Sequence, residues 1–245
     1  VNILVSIDDT DDLNSRGTGK VAQLMAEGLA EKGWAECGAI TRHQLLVHPD
    51  IAYTSHNSTM CFPARIADDS LHEVTEWCKS TVADAAVETA DPGLCVVDVA
   101  SLDNPGELVR FGLSAKERVR TKDEAYSLAE SLGVHLSEHG GTGIGVIGAL
   151  AGVGLRLSGN DGRFRGKVFI PAENGVASVA TILAHGADEV RTREGDSLPR
   201  SERVEIQEIS KFVLLDGRAV MLVEQAEPDS DVLWRAVDRD SLRVF

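Results

Sequence analysis

The chain has 245 residues, with 24 Lys and Arg against 39 Asp and Glu and a net charge of −15. That length allows one large domain or two modest ones, either able to bury a real core. The acidic balance argues against a general nucleic-acid or membrane surface, because non-specific phosphate binding is driven by cations; it leaves room for a local basic site.

No apolar run approaches a membrane span, and the first residues lack a basic-then-apolar signal pattern. Cys37, Cys61, Cys78 and Cys95 form no CxxC pair. They read as buried reduced thiols of a cytoplasmic protein, not as a zinc ribbon.

Residues 2–7 form a short, β-branched, apolar run that reads as a buried strand. It ends in Asp8, Asp9, Thr10, Asp11 and Asp12. Asp clusters are usually turn formers and helix caps. Here the carboxylates directly follow a buried strand, where charge without a partner is costly, and metal or phosphate work is the favoured reading. A helix is expected over about 18–31, with Val21, Leu24, Met25 and Leu29 on one face and Gly33 as its stop. Strand-rich segments follow at 40–47 and 59–66. Ser70 to Glu73 is a capping-box pattern before a helix. Asp91-Pro92-Gly93 is a turn into a buried strand over 94–99, and Thr121 to Glu124 caps a further helix.

The segment from Gly140 to Gly148 contains the dinucleotide pattern G-x-G-x-x-G, but the preceding residues 136–139 are polar and do not read as the required strand. A helix starting near Thr142 fits better, and bare N–H groups at such a start suit an anion. Arg42, His56 and Asn57 read as a polar, substrate-facing edge. Arg118 and Arg120, in the basic run from Lys116 to Lys122, read as solvated surface. The composition shifts near 170–175, after which a small β-rich unit follows, with Asp216-Gly217 as a hairpin turn. The domains are therefore expected at 1–172 and 173–245, with mixed strands and helices giving an α/β (α+β) layered fold.

Together these motifs resemble the tRNA-isoleucine agmatinylcytidine synthetase family over about residues 1–165. Ile7-Asp8-Asp9-Thr10-Asp11 matches the family's opening motif, Arg42, His48-Pro49-Asp50 and Asn57 follow in the same order, and Gly141 to Ala151 follows its last Gly-rich motif. The resemblance implies kinase-like and ferredoxin-like mixed layers, ATP and Mg²⁺ as cofactors, and phosphoryl-transfer or ligase chemistry. On it, Asp8, Asp9 and Lys20 are the expected catalytic residues, and Asp8, Asp9 and Asp11 the Mg²⁺ ligands. Gly17, Thr18, Gly141, Thr142 and Gly143 would bind nucleotide, and Arg42, His56 and Asn57 the substrate.

The family's two threonines fall at Lys20 and Val21, and its Arg-Gly before Asn57 is replaced by His56. The expectation is therefore an ATP-dependent enzyme acting on a small molecule. tRNA binding by this chain alone is not expected, nor is membrane association, and homo-oligomerisation is left open. A non-catalytic nucleotide-binding regulatory module is the alternative, and a Rossmann-type oxidoreductase stands third.

Overall fold

The computed structural model describes residues 1–11, 17–51 and 57–245. It divides into two units, Val1–Ser158 and Gly159–Phe245. The division falls earlier than the composition shift near 170–175 places it, because β-structure begins soon after a long apolar helix ends at Ser158.

In the first unit the opening apolar run is β1 (Asn2–Asp8). It is followed by α1 (Thr18–Glu31), β2 (Ala35–Cys37), β3 (Thr41–Gln44), β4 (Ser58–Ile66), α2 (Leu71–Ala85) and β5 (Gly93–Asp98). Then come α3 (Pro105–Ala115), α4 (Lys122–Leu132), β6 (His135–Glu138) and α5 (Gly145–Ser158). The strands lie in the order β6-β5-β1-β4-β3, with β2 also on β4, and every pairing among them is antiparallel.

Strand alternation sorts β1 into two faces. Ile3, Val5 and Ile7 join a core with Met25 and Leu29 of α1 and Val74, Cys78 and Val82 of α2. Leu4 joins the other core, with Leu108 and Phe111 of α3 and Val146, Leu150 and Val153 of α5. The sheet is therefore covered by helices on both faces, and β1 and β4 are buried on both. The mixed α/β layering agrees with the fold class read from the sequence. Cys61, Cys78 and Cys95 are buried in these cores and, like Cys37, are free thiols. Burial raises all four above the ordinary thiol value.

Three local expectations are corrected. β6 is a strand although its residues are polar: it pairs only with β5 and, as an edge, stays half-exposed. The dinucleotide fold, disfavoured on the sequence for want of that strand, does not fit for a different reason: β6 runs antiparallel to β5 where that fold needs parallel strands. The helix expected from Thr142 begins at Gly145, since Gly141 and Gly143 adopt left-handed φ of 54° and 71°. Ser70 makes no side-chain cap: its backbone is helical (φ −95°, ψ −3°), whereas a capping hydroxyl needs an extended residue. The capping box at Thr121 and Glu124 does form. Helix α3 has its sequence signal in Asn104-Pro105, a proline at the first helical position.

The second unit holds β7 (Arg163–Phe164), β8 (Val176–Ser178), α6 (Val179–Ala184), β9 (Glu189–Thr192) and β10 (Arg203–Glu205). It ends with β11 (Val213–Leu215), β12 (Arg218–Gln225) and β13 (Trp234–Ala236). The order is β7-β11-β12-β13-β10-β8, with β9 parallel to β12. The β11–β12 hairpin turns at Asp216 and Gly217, both with positive φ, as Asp-Gly hairpins require. Ile182, Val204, Phe212, Met221 and Val223 fill its main core.

Candidate active site

Alternation that buries Leu4 and Ser6 beneath α5 also puts Asp8 there, 8 % exposed. The helix can lie close because it is bare. A Cβ on Gly148 would overlap Asp8 Oδ2, and one on Gly152 would meet Ser6 Oγ and Thr59 Oγ1. The small residues of α5 are thus explained by packing. The same packing leaves the Asp8 carboxylate under a helix with no ion-pair partner among the described residues. Burial, then the Asp9 charge, push the Asp8 carboxyl up to about 8. Asp9 is held at φ 51° and is pushed up to about 6 by burial, then by Asp91 and Asp11. Asp11 serves partly as a cap: its Oδ1 accepts from the Thr18 amide at 3.0 Å and the Thr18 hydroxyl at 2.5 Å. The Thr10 hydroxyl donates to Thr18 Oγ1 at 3.2 Å, tying the acidic turn to the start of α1.

These residues line a cleft of about 750 Å³, counted to its open mouth. Its walls bring together Asp8, Asp9, Asp11, Thr18 and Asn57, all expected site residues, with Asp50, Ser58, Arg118, Arg120, Gly145 and Gly148. Leu45, Ile51, Ala115, Val119, Ile144 and Ile147 supply an apolar side. Asn57 is fixed by donating from Nδ2 to the Leu46 carbonyl at 2.7 Å.

Other expected residues stand apart from this lining. Lys20 is in the first turn of α1, its amide on the Gly17 carbonyl. Arg42 on β3 donates from Nε to Ser58 Oγ at 2.9 Å, one step behind the wall. His56 lies outside the described residues. The anion cradle expected at Gly141, Thr142 and Gly143 is already engaged: the Thr142 and Gly143 amides both donate to Asp91 Oδ1. The anion held there is the chain's own. A side chain on Gly143 would overlap Glu138 Oε2, which is ion-paired to Lys122 at 2.6 Å. Gly143→Val is therefore expected to lower the melting temperature measured by calorimetry, through strain and loss of that pair, and not to act as a selective block of ligand binding.

Sequence reading placed Arg118 and Arg120 on the solvated surface; Arg118 is indeed exposed, at the rim of the cleft, and the reading is corrected for Arg120, which is half-buried. Arg120 stacks over the Phe111 ring at 4.5 Å, and its Nε lies 3.4 Å from Glu124 Oε2. Arg118 Nε donates to Ser114 Oγ at 2.8 Å. Both are held by α3 and the start of α4, and both face the cleft that the acidic turn opens into. The usable signal was a basic run in an acidic chain directly after a helix. Asp91, read only as a turn residue, is the second omission.

Among the described residues no group of three or more His, Cys, Asp or Glu side chains is arranged as a metal-binding set. The pair of raised carboxylates still fits a hard cation that takes one or two carboxylates and completes its shell with water and phosphate oxygens. No helix among the described residues is long and apolar enough to cross a membrane.

No protein-family model matches the chain, and no curated protein matches it significantly. Solved structures do. Apo TiaS, an agmatidine synthetase of an isoleucine tRNA, is 25 % identical with a TM-score of 0.54, over 63 % of this chain and 35 % of that one. TiaS in complex with its isoleucine tRNA, AMPCPP and agmatine is 27 % identical with a TM-score of 0.53, over 62 % of this chain and 36 % of that one. TiaS with the same tRNA and ATP is 21 % identical, a likeness of fold alone, with a TM-score of 0.56 over 82 % of this chain and 50 % of that one. This chain thus spans about a third of the length of the first of these. The resemblance carried by Ile7 to Asp11 and the Gly-rich block stands: the chain has a TiaS-like fold.

Proposed function

We propose that the first unit is the nucleotide-binding catalytic region of an ATP- and Mg²⁺-dependent enzyme of the phosphoryl-transfer or ligase type, related to the agmatidine synthetase and acting on a small acceptor. One observation carries it: Asp8 and Asp9, uncompensated and raised, converge with Arg118 and Arg120 on one cleft. Carboxylates lacking a cation, set across a cleft from two guanidinium groups, are what a metal–phosphate pair would satisfy together. The apolar wall of Leu45, Ile51, Val119 and Ile144 suits a base. The cited solved relatives bind ATP or its analogue by their descriptions.

Within this reading Asp8 and Asp9 hold Mg²⁺, whose bound charge would neutralise phosphate oxygens during transfer. Arg118 and Arg120 orient the phosphates by paired hydrogen bonds, and Asn57 and Ser58 present polar groups to the acceptor. Burial under α5 excludes water from the Asp8 side, which strengthens each of these interactions. The Thr142 and Gly143 amides take no part unless Asp91 moves. An acceptor other than tRNA is favoured by the net charge of −15.

Titration calorimetry with ATP, with and without Mg²⁺, tests the binding. Turnover assays with small metabolites against total tRNA test the acceptor. The expected result is Mg²⁺-dependent binding and turnover stimulated by a small molecule. Cytidine modification in tRNA by the isolated chain would refute the acceptor assignment. Binding without turnover would leave the regulatory-module reading, which the substitution of the family's threonines by Lys20 and Val21 favours.

A further inference from the structure

We propose that the second unit carries a separate pocket for a single phosphate group, built by Lys211, Arg239 and Ser210 and flanked by Arg163 and Lys167. The site is a shallow surface recess lined in part by Ser210, Lys211 and Arg239. The fold brings these cations together from three places in the chain. The Phe164 amide donates to the Phe212 carbonyl at 2.9 Å and the Ser210 amide to the Val168 carbonyl at 3.0 Å, so residues 163–168 run beside 210–213. Lys211 Nζ donates to the Gly166 carbonyl. Arg163 Nη1 donates to the Arg239 carbonyl at 3.2 Å, closing the group.

Nothing in the fold calls for this concentration. Among the described residues no carboxylate lies within ion-pair distance of Lys167, Lys211 or Arg239, in a chain whose net charge is −15. Lys211 is held below the ordinary lysine value by burial, and then by Arg163, Arg239, Arg165 and Lys167. Ser210 is 4 % exposed, and its hydroxyl has no hydrogen-bond partner, which is rare for a buried polar group and leaves an unmet donor beneath the recess. An ammonium and a guanidinium brought to one recess from separate segments of the chain suit a tetrahedral oxyanion better than a planar carboxylate, which a single Arg fork would match.

The recess favours one group over a strand. An adjoining depression, sharing Gln207 and Ala236 with it, is lined by Glu205, Glu224, Asp238 and Arg235; Arg235 pairs with Glu224, and the two remaining carboxylates disfavour a polyanion running past.

The test is titration of the full chain, without Mg²⁺, with inorganic phosphate and then a small phosphomonoester, against chloride at matched ionic strength. Saturable binding and a raised melting temperature are expected, with the monoester competing. Lys211→Gln should weaken binding about tenfold or more. Arg239→Gln, at an exposed side chain, should do the same without threatening the fold. Asp9→Asn should leave phosphate binding unchanged, so that this site and the ATP cleft stand or fall separately. Binding no better than chloride, or equal binding by the parent and both basic-site variants, would overturn the proposal. So would a single-stranded RNA that binds through Lys211 and Arg239 and resists competition by phosphate.

Discussion

Asp9→Asn should abolish Mg²⁺-dependent ATP binding while the protein stays folded. Asn is among the residues that best tolerate the left-handed backbone Asp9 adopts, so the turn is kept while the charge is lost. Neutralising one of two carboxylates at a bound cation should weaken Mg²⁺-ATP by about 100-fold or more by calorimetry. The same variant has a stability signature. Both acids sit above the ordinary 3.8, Asp9 at about 6 and Asp8 at about 8. The folded state therefore keeps protons that the unfolded chain releases. Stability from this pair is full below about pH 4 and is lost as pH rises through 6 and then 8. Asp9→Asn removes the lower step and relieves its repulsion of Asp8. It should melt at the same or a higher temperature than the parent at about pH 8, with the difference closing toward about pH 4. Undiminished Mg²⁺-ATP affinity in the folded variant would sink the assignment of the acidic turn.

The second large effect is on the fold itself. Gly93 opens β5, and a Cβ there would overlap the Gly145 carbonyl carbon and the Val146 nitrogen at the start of α5. Both obstacles are backbone, and Gly145 is itself fixed by its amide on the Asp91 carbonyl at 3.0 Å. No rotamer change can relieve the clash. Gly93→Ala should destabilise by more than about 4 kcal/mol or fail to accumulate. Gly133→Ala is the control: that glycine has φ 64° and nothing within 4 Å. Only backbone strain of about 1 kcal/mol is at stake there. Urea melts of the two variants separate the explanations, and a Gly93→Ala protein within about 1 kcal/mol of the parent would show that α5 can lift away from β5.

The parts legible in the sequence were those whose signal is local. The apolar run of β1, the face of α1 at Val21, Met25 and Leu29 (Leu24, also expected there, is exposed), the Thr121 box and the Asp216-Gly217 turn each carry their geometry in neighbouring residues. The rest depended on contacts between distant residues. β6 is polar because it is an edge, and only its pairing with β5 makes it a strand. The Gly-rich start at 141–143 looks like an anion site until Asp91, some fifty positions earlier, is seen to accept from the Thr142 and Gly143 amides. Arg120 looks like a solvated cation until α3 and α4 half-bury it beside the cleft of Asp8 and Asp9, while Arg118 stays exposed at the same cleft. In both cases the residue types were read correctly, but their partners could not be read from neighbouring positions.

The placement of β1 also bears on how the chain acquires its fold during synthesis. Its neighbours are β4 and β5, pairing Val5 with Phe62 and with Val96; α1 and α2 cover one face, and α3 and α5 the other. No local hairpin can shelter it. As the chain leaves the ribosome, α1 can cover one face early, but this apolar strand of high β-propensity must wait until residue 66 for one edge, residue 98 for the other and residue 158 for the cover of its second face. Non-local sheets of this kind fold slowly, because loop-closure entropy is spent before the contacts return it. Through that interval β1 is a segment able to pair with the wrong strand or another chain. Asp8 and Asp9 at its end, charged while still in water, oppose such pairing, so the carboxylates that strain the finished site would protect the unfinished chain.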